Sequence, residues 1–213
     1  YRQIGGITKH LDLTVHGFGN RLQTGLGDPH GNHRTVAVLT FASGDRVVYK
    51  PRSLALEQRV RSWIERIHRA AGDDAPMPGR VLCRSTWGWQ AYVAPAPCRT
   101  AHDVALYHRR LGRLAAVLWL VDATDLHHEN LVAAGAWPVP IDLECVLQPR
   151  AYDHQGPDGQ PVGPAVDMHS VLHTGLFPRG FERDAEGRSA DISGAGATAP
   201  LAVGAWMPTD AGS

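Results

Sequence analysis

The sequence is poor in cysteine. Its three, Cys83, Cys98 and Cys145, are widely spaced and include no C-x-x-C pair, which argues against a thiolate zinc site and a disulfide framework. A reducing, cytoplasmic setting is therefore expected. Long apolar runs are absent too: the longest, Leu114 to Val121, is far too short to span a bilayer, and no signal peptide is visible. Net charge is also absent, because Lys+Arg and Asp+Glu are both 21 in 213 residues. That leaves no global electrostatic case for nucleic acid or an anionic membrane as partner. Local basic clusters remain, for example Arg59, Arg61, Arg66 and Arg69.

Hydrophobic residues make up 43% and charged residues 20%, the balance of a soluble globular protein with core enough for one large domain or two small lobes. The chain opens at Tyr1 inside a polar segment and closes in a Gly/Ala/Pro-rich stretch, Ser193 to Ser213. It therefore reads as part of a longer protein.

Residues 35–41 predict a strand, 42–45 a turn and 46–50 the returning strand of a hairpin. Ser53 is an expected N-cap for a helix over 54–71, with Leu56, Val60, Trp63, Ile64 and Ile67 on one face and Gly72 as the stop. Residues 80–84 and 89–93 predict a second strand pair, followed by a Pro-rich connector. A long helix is expected over 101–122, lined by Val104, Leu111, Leu114, Ala115, Leu118 and Trp119. A polar loop (123–130), a strand (131–134), a turn at Gly135, a strand (139–143) and a helix (167–176) follow. Beyond Pro178 the sequence is turn-rich and low in large apolar residues. The order predicts an α+β, two-lobed, kinase-like fold, truncated, with a small β-rich N-lobe (1–94), a helical C-lobe (95–180) and an irregular remainder (181–213).

Chemistry concentrates in Thr124-Asp125-Leu126-His127-His128-Glu129-Asn130 and in Pro138-Val139-Pro140-Ile141-Asp142-Leu143-Glu144. Phosphoryl transfer needs a positioned acceptor hydroxyl and a divalent metal to neutralise phosphate charge. Asp125 and Asn130 have the D-x-x-x-x-N spacing of a kinase catalytic loop. Asp142 follows an apolar strand where a second metal-binding Asp belongs, and its oxygens are hard ligands suited to Mg²⁺. D-x-x-x-x-N alone is a common loop pattern; the long helix before it and the strand ending in Asp give it meaning. Lys50, closing an apolar strand well upstream, is where kinases place the lysine that grips the α/β-phosphates. Removing its charge is expected to weaken nucleotide handling and spare the fold. Its partner carboxylate is expected from the next helix, Glu57 in preference to Glu65. The Gly-rich stretch 25–34 matches no Walker or G-x-G-x-x-G pattern, but it precedes the hairpin, where a phosphate-covering loop would lie, with His33 and Arg34 within it. Among twelve histidines, His127-His128 and His169-x-x-x-His173 are the candidate zinc pairs, and neither has a third ligand at convincing spacing.

Six stretches, GDPHGNHRTV (27–36), VYKPRSL (48–54), WGWQAYV (87–93), TDLHHENLVAAG (124–135), PVPIDLEC (138–145) and SVLHTGLFP (170–178), together resemble the dehydratase domain of class II lanthipeptide synthetases (LanM type). The D-x-H-x-x-N loop also resembles that of lipid kinases, to which this dehydratase domain is similar in fold. The resemblance implies phosphorylation of Ser and Thr in a leader-bearing precursor peptide with ATP and Mg²⁺. Elimination to dehydroalanine and dehydrobutyrine would follow. It implies that Asp28 and His30 belong to the phosphate loop and that Lys50 binds phosphate. By the same resemblance, Asp125 and His127 are catalytic, and Asn130, Asp142 and Glu144 bind metal. A cyclase domain or protein is a further implied partner, and no equivalent of the family's elimination residues is visible. Cys145 stands where Thr is usual and Gln90 where an acidic residue is common. The phosphotransfer step is therefore expected here without unaided dehydration or cyclisation. Two other readings compete. One is a small-molecule phosphotransferase of the aminoglycoside kinase type, which would need an acidic pocket after the catalytic segment. The other is a degenerate kinase-like module that binds a peptide without catalysis.

Overall fold

The structure, a computed structural model, describes residues 19–30, 34–147, 170–178, 182–183, 189–190 and 193–196. Five antiparallel strands build the first half: β1 (Gly19–His30), β2 (Arg34–Phe41), β3 (Arg46–Lys50), β4 (Val81–Cys83) and β5 (Gly88–Ala91), in the order β1-β2-β3-β5-β4. The β2–β3 hairpin forms as its alternation requires, with Leu39 opposite Val47 and Val38 opposite Val48. Its turn is tied by Phe41 N–H to the Asp45 carbonyl at 2.8 Å. β3 is central in the sheet, and Lys50 at its end pairs with Gly88 of β5.

Helix α1 (Ala55–Ala70) crosses between β3 and β4. Its N-cap is Leu54 rather than Ser53; the Ser53 hydroxyl accepts instead from the Ala55 N–H at 3.3 Å. The helix also turns a different face inward from the one expected. Val60 and Ile64 are buried as predicted, but Glu57, Arg61 and His68 join them, while Leu56, Trp63 and Ile67 stand 37–40% exposed. Polar partners waiting inside explain the rotation. Arg61 donates to the Pro140 carbonyl at 3.3 Å and to the Pro78 carbonyl. Burial lowers its pKa, and Glu57 and Glu65 oppose that shift.

Helix α2 (Ala101–Leu120) starts at a capping box: the Thr100 hydroxyl accepts from Asp103 N–H, and the Asp103 carboxylate accepts from Thr100 N–H. Leu111, Leu114, Ala115 and Leu118 are buried as expected; Trp119 is half-exposed at the edge of that stripe, and Val104 is half-exposed in the first turn. The helix ends as Ala123 N–H reaches back to the Leu118 carbonyl and Asp122 turns to φ +50°. A two-stranded ribbon follows, β6 (Leu131–Ala134) and β7 (Trp137–Pro140). β7 begins and ends earlier than predicted, which leaves Ile141 to Glu144 outside the strand. In place of the expected helix over 167–176 there is a 3₁₀ turn, Val171–Thr174, with residues 167–169 outside the described residues. Two short strands, β8 (Glu182–Arg183) and β9 (Ser189–Ala190), pair with each other. No helix among the described residues is long and apolar enough to cross a membrane.

One core runs from α1 (Val60, Ile64) through α2 (Leu114, Leu118) to Leu126, Val139, Leu143 and Leu176. Each buried leucine of this kind stabilises the fold by roughly 1.5–3 kcal/mol. The α1–α2 junction is closed by charge. Arg110 clamps Asp73 with two hydrogen bonds, 2.7 and 2.8 Å, and lies 3.6 Å over the Trp137 ring. Buried His68 packs edge-on to Trp137, with Nδ1 3.7 Å from Asp73. Burial lowers the His68 pKa; Asp73 raises it, and Arg113 and Arg110 lower it. The hydrogen bond from Arg110 holds the Asp73 carboxyl below the usual range. Both groups bind protons less readily folded than unfolded, so both disfavour the fold in acid. Stability should fall as pH drops below about 6.5, where unfolded histidine charges, and again below about 4, where unfolded aspartate does. Urea melts across pH 3–8 check this: His68→Gln should flatten the first step only, and an unchanged profile would refute the assignment.

Candidate functional site

The buried leucines of the core place the chemistry. Leu126 follows Asp125, and Leu143 separates Asp142 from Glu144, both leucines being 1% exposed. Alternation does the rest: with Leu143 turned inward, Asp142 and Glu144 turn out together. A hydrogen bond from Glu144 N–H to the Asp142 carboxylate, 3.1 Å, fixes that turn. The segment joins the loop at 123–130 through Ile141 N–H to the Asn130 carbonyl, 2.9 Å, and Thr124 N–H to the Cys145 carbonyl, 2.8 Å. Burial pushes the Cys145 thiol pKa up, and Asp125, Glu144 and Asp142 push it the same way. Cys145 thus marks the point where the two acidic segments meet.

In the loop, Asp125 takes a left-handed conformation, φ +66°, uncommon outside glycine but tolerated by Asp. Its side chain is 54% exposed. Asn130 Nδ2 donates to the Asp125 carbonyl at 2.8 Å and lies 3.2 Å from His127 Nε2. His127 Nε2 is 3.6 Å from the Asp125 carboxylate, and its Nδ1 accepts from Glu129 N–H at 3.2 Å. One face of the imidazole edge thus faces both Asp125 and Asn130.

A second segment braces this loop from below. Leu126 N–H donates to the Thr174 carbonyl at 2.9 Å, and His127 bridges to Ser193. Gly175, at φ +78°, passes so close that a Cβ there would lie 3.2 Å from the Leu126 nitrogen. Gly175→Ala should therefore cost about 1–3 kcal/mol, read from chemical denaturation; unchanged stability would show that the brace is slack.

Lys50 arrives from the other side. Its Nζ lies 3.2 Å from Glu57 Oε2 and donates to the Ile141 carbonyl at 2.5 Å, with Lys50 and Glu57 5% and 1% exposed. Glu57 is thus the partner carboxylate, while Glu65 lines a groove elsewhere. The chain holds only two lysines, Lys9 and Lys50, so the cation buried here is not one drawn from a plentiful type.

Sequence reasoning missed Arg52. Its guanidinium reaches three carboxylates: Asp142 Oδ1 at 2.5 Å, Glu144 Oε2 at 3.0 Å and Glu57 Oε2 at 3.4 Å. The available signal was its place two residues after Lys50, since alternate residues of an extended segment share a side. Asp28 and His30 fall on β1, but their side chains, with residues 31–33, lie outside the described residues. So does His169, one half of the zinc pair; among the described residues no cluster of three His, Cys, Asp or Glu could hold a metal. A groove of about 660 Å³, lined in part by Glu65, Asp73, Asp74 and Arg80, contains none of Lys50, Asp125, His127, Asn130, Asp142 and Glu144. Concave shape alone favours that groove; the convergence of Lys50, Arg52, Asp142 and Glu144 from segments ninety residues apart is the stronger chemical signal.

The sequence that builds this arrangement belongs to a family. Residues 13–208 match the domain family described as Domain of unknown function (DUF4135), and the chain belongs to it. That family is associated with LanM-type class II lanthipeptide synthetases, in agreement with the motifs. One relative is the lacticin 481/lactococcin biosynthesis protein LcnDR2 of Lactococcus lactis subsp. lactis, 26% identical over 162 residues. The match covers 71% of this chain and 17% of that protein, so the chain spans about a sixth of the relative's length.

Proposed function

We propose that this chain carries the phosphotransfer half of a lanthipeptide dehydratase, on a two-lobed, lipid-kinase-like fold. It would use ATP and Mg²⁺ to phosphorylate Ser and Thr of a leader-bearing precursor peptide. The observation that carries this reading is the junction at residue 141. There Lys50, paired with Glu57, meets the residue immediately before Asp142, and the same residue is tied to Asn130.

The donor set suits a hard divalent cation. Asp142 and Glu144 already share one cation, the Arg52 guanidinium, and Asn130 lies one hydrogen bond away along the backbone. Two carboxylates and an amide leave room for phosphate oxygens, the usual way Mg²⁺ is held in such sites. When bound, the metal would neutralise phosphate charge.

The chain's own residues would do the rest. The Lys50 ammonium grips phosphate, and Glu57 keeps it extended. Asp125, exposed at the loop tip, accepts the proton of the Ser or Thr hydroxyl. That oxygen bonds to the γ-phosphorus as the bond to the β–γ bridging oxygen breaks, and ADP leaves with the bonding pair. His127, within 3.6 Å of Asp125 and 3.2 Å of Asn130, orients both.

The test is transfer of labelled γ-phosphate from ATP to a Ser/Thr-rich precursor peptide, run beside free aminoglycosides. Transfer to peptide alone supports the reading; equal transfer to aminoglycosides, or transfer without Mg²⁺, overturns it.

A further inference from the structure

Arg52 is the residue of the site that no motif assigned. Its fork touches three carboxylates: buried Glu57, which also pairs with Lys50, and the outward pair Asp142 and Glu144. The five side chains sum to two positive and three negative charges, one net negative. Without Arg52 the cluster would be two net negative, and Asp142 and Glu144 would lose the cation they share. Like charges this close repel strongly in a partly buried setting. The backbone turns Asp142 and Glu144 out together, and Arg52 supplies the cation that offsets their repulsion.

We propose that Arg52 is a positioning residue that occupies the divalent-cation place between Asp142 and Glu144 and yields it when metal arrives with nucleotide. The proposal rests on the phosphotransfer reading above and deepens it. A planar fork suits the task because it can bridge two carboxylates at once, which an ammonium does less well. The arrangement holds the two carboxylates at cation-sharing separation before any metal is bound. It also sets the order of binding. Adding a divalent cation while the freed Arg52 guanidinium stays alongside would take the cluster from one negative charge to one positive. That is unfavourable until a polyanion such as a triphosphate supplies the missing negative charge. Released Arg52 then stands beside Lys50 as a second cation facing that anion. Metal and nucleotide would therefore bind with positive coupling, and Arg52 would be its source.

The experiment measures Mn²⁺ affinity of the full chain without nucleotide, by electron paramagnetic resonance, in wild type, Arg52→Gln and Arg52→Lys. The glutamine variant removes the competing cation and should bind Mn²⁺ at least about tenfold more tightly than wild type. The lysine variant, a point cation without a fork, should fall between. A double variant, Arg52→Gln with Asp142→Asn, should lose the gain. A purely structural arginine predicts the opposite sign, because its loss would loosen the carboxylates and weaken the metal. Equal or weaker Mn²⁺ binding in both single variants overturns the proposal. Should the glutamine variant not fold by circular dichroism, the lysine variant alone decides: tighter binding supports the proposal, and unchanged binding overturns it. Because no nucleotide or peptide is present, this result stands apart from the kinase reading, which fails instead if wild type does not transfer phosphate.

Discussion

Exchange of Asp142 for alanine should lower phosphate transfer to a peptide by at least about a hundredfold, the loss typical of removing one preorganised charge from a transition state. The position is the hinge of the site. Asp142 follows the residue to which Lys50 donates, is gripped by Arg52 at 2.5 Å and orders Glu144 through its backbone. The fold should hardly notice. Asp142 is partly exposed, and Arg52 keeps Glu57 and Glu144 as partners, so the change in unfolding free energy should stay within about 1 kcal/mol. Initial rates with labelled ATP, beside a urea melt of the same preparation, separate the two effects. A variant that melts like wild type and transfers phosphate at the wild-type rate would end the phosphotransfer reading.

Lys50→Met should behave differently, losing stability as well as activity. Glu57 has a fully buried side chain, and Lys50 is its nearer cation at 3.2 Å. Removing one partner of a buried pair costs roughly 3–5 kcal/mol because the other charge is left behind. Arg52, 3.4 Å from the same oxygen, should hold the loss near the lower figure. This revises the expectation from sequence that the lysine could be discharged without harm to the fold. The double variant Lys50→Met, Glu57→Gln removes the stranded charge and should recover much of the stability with none of the activity. If Lys50→Met unfolds at the wild-type urea midpoint, the pair is not the internal tie described above.

These results bear on what was legible beforehand. Strands β2, β3 and β6 fell where alternation and turn residues put them, and the loop from 123 to 130 was read as a loop. Lys50 meets Glu57, Arg52 joins Glu57 to Asp142 and Glu144, and Asn130 is tied to the same segment through its main-chain carbonyl. What escaped notice did so for one physical reason. Apolar periodicity assumes that polar residues face water, and here several face inward for partners elsewhere in the chain. Glu57 and Arg61 rotate α1 by meeting Lys50 and the Pro140 carbonyl, which leaves Leu56, Trp63 and Ile67 outside. No window of sixteen residues contains Pro140. Arg52 was invisible for the same reason, since its partners lie up to ninety-two positions away. Strand β7, expected over 139–143, lies at Trp137–Pro140, with Pro138 and Pro140 inside the ribbon. In a two-stranded ribbon, proline is tolerated wherever its missing N–H would face away from the partner strand.

The bond from Lys50 to residue 141 ends on a main-chain oxygen. Every amino acid presents that atom, so the isoleucine can drift to other apolar types without touching the contact. Heritable variation at 141 is screened only through its packing, whereas a change in the length of the segment between 131 and 142 would move the oxygen itself. The site is therefore more tolerant of substitution than of insertion or deletion along that stretch. A lineage could rewrite much of the wording around Asp142 so long as it kept the count.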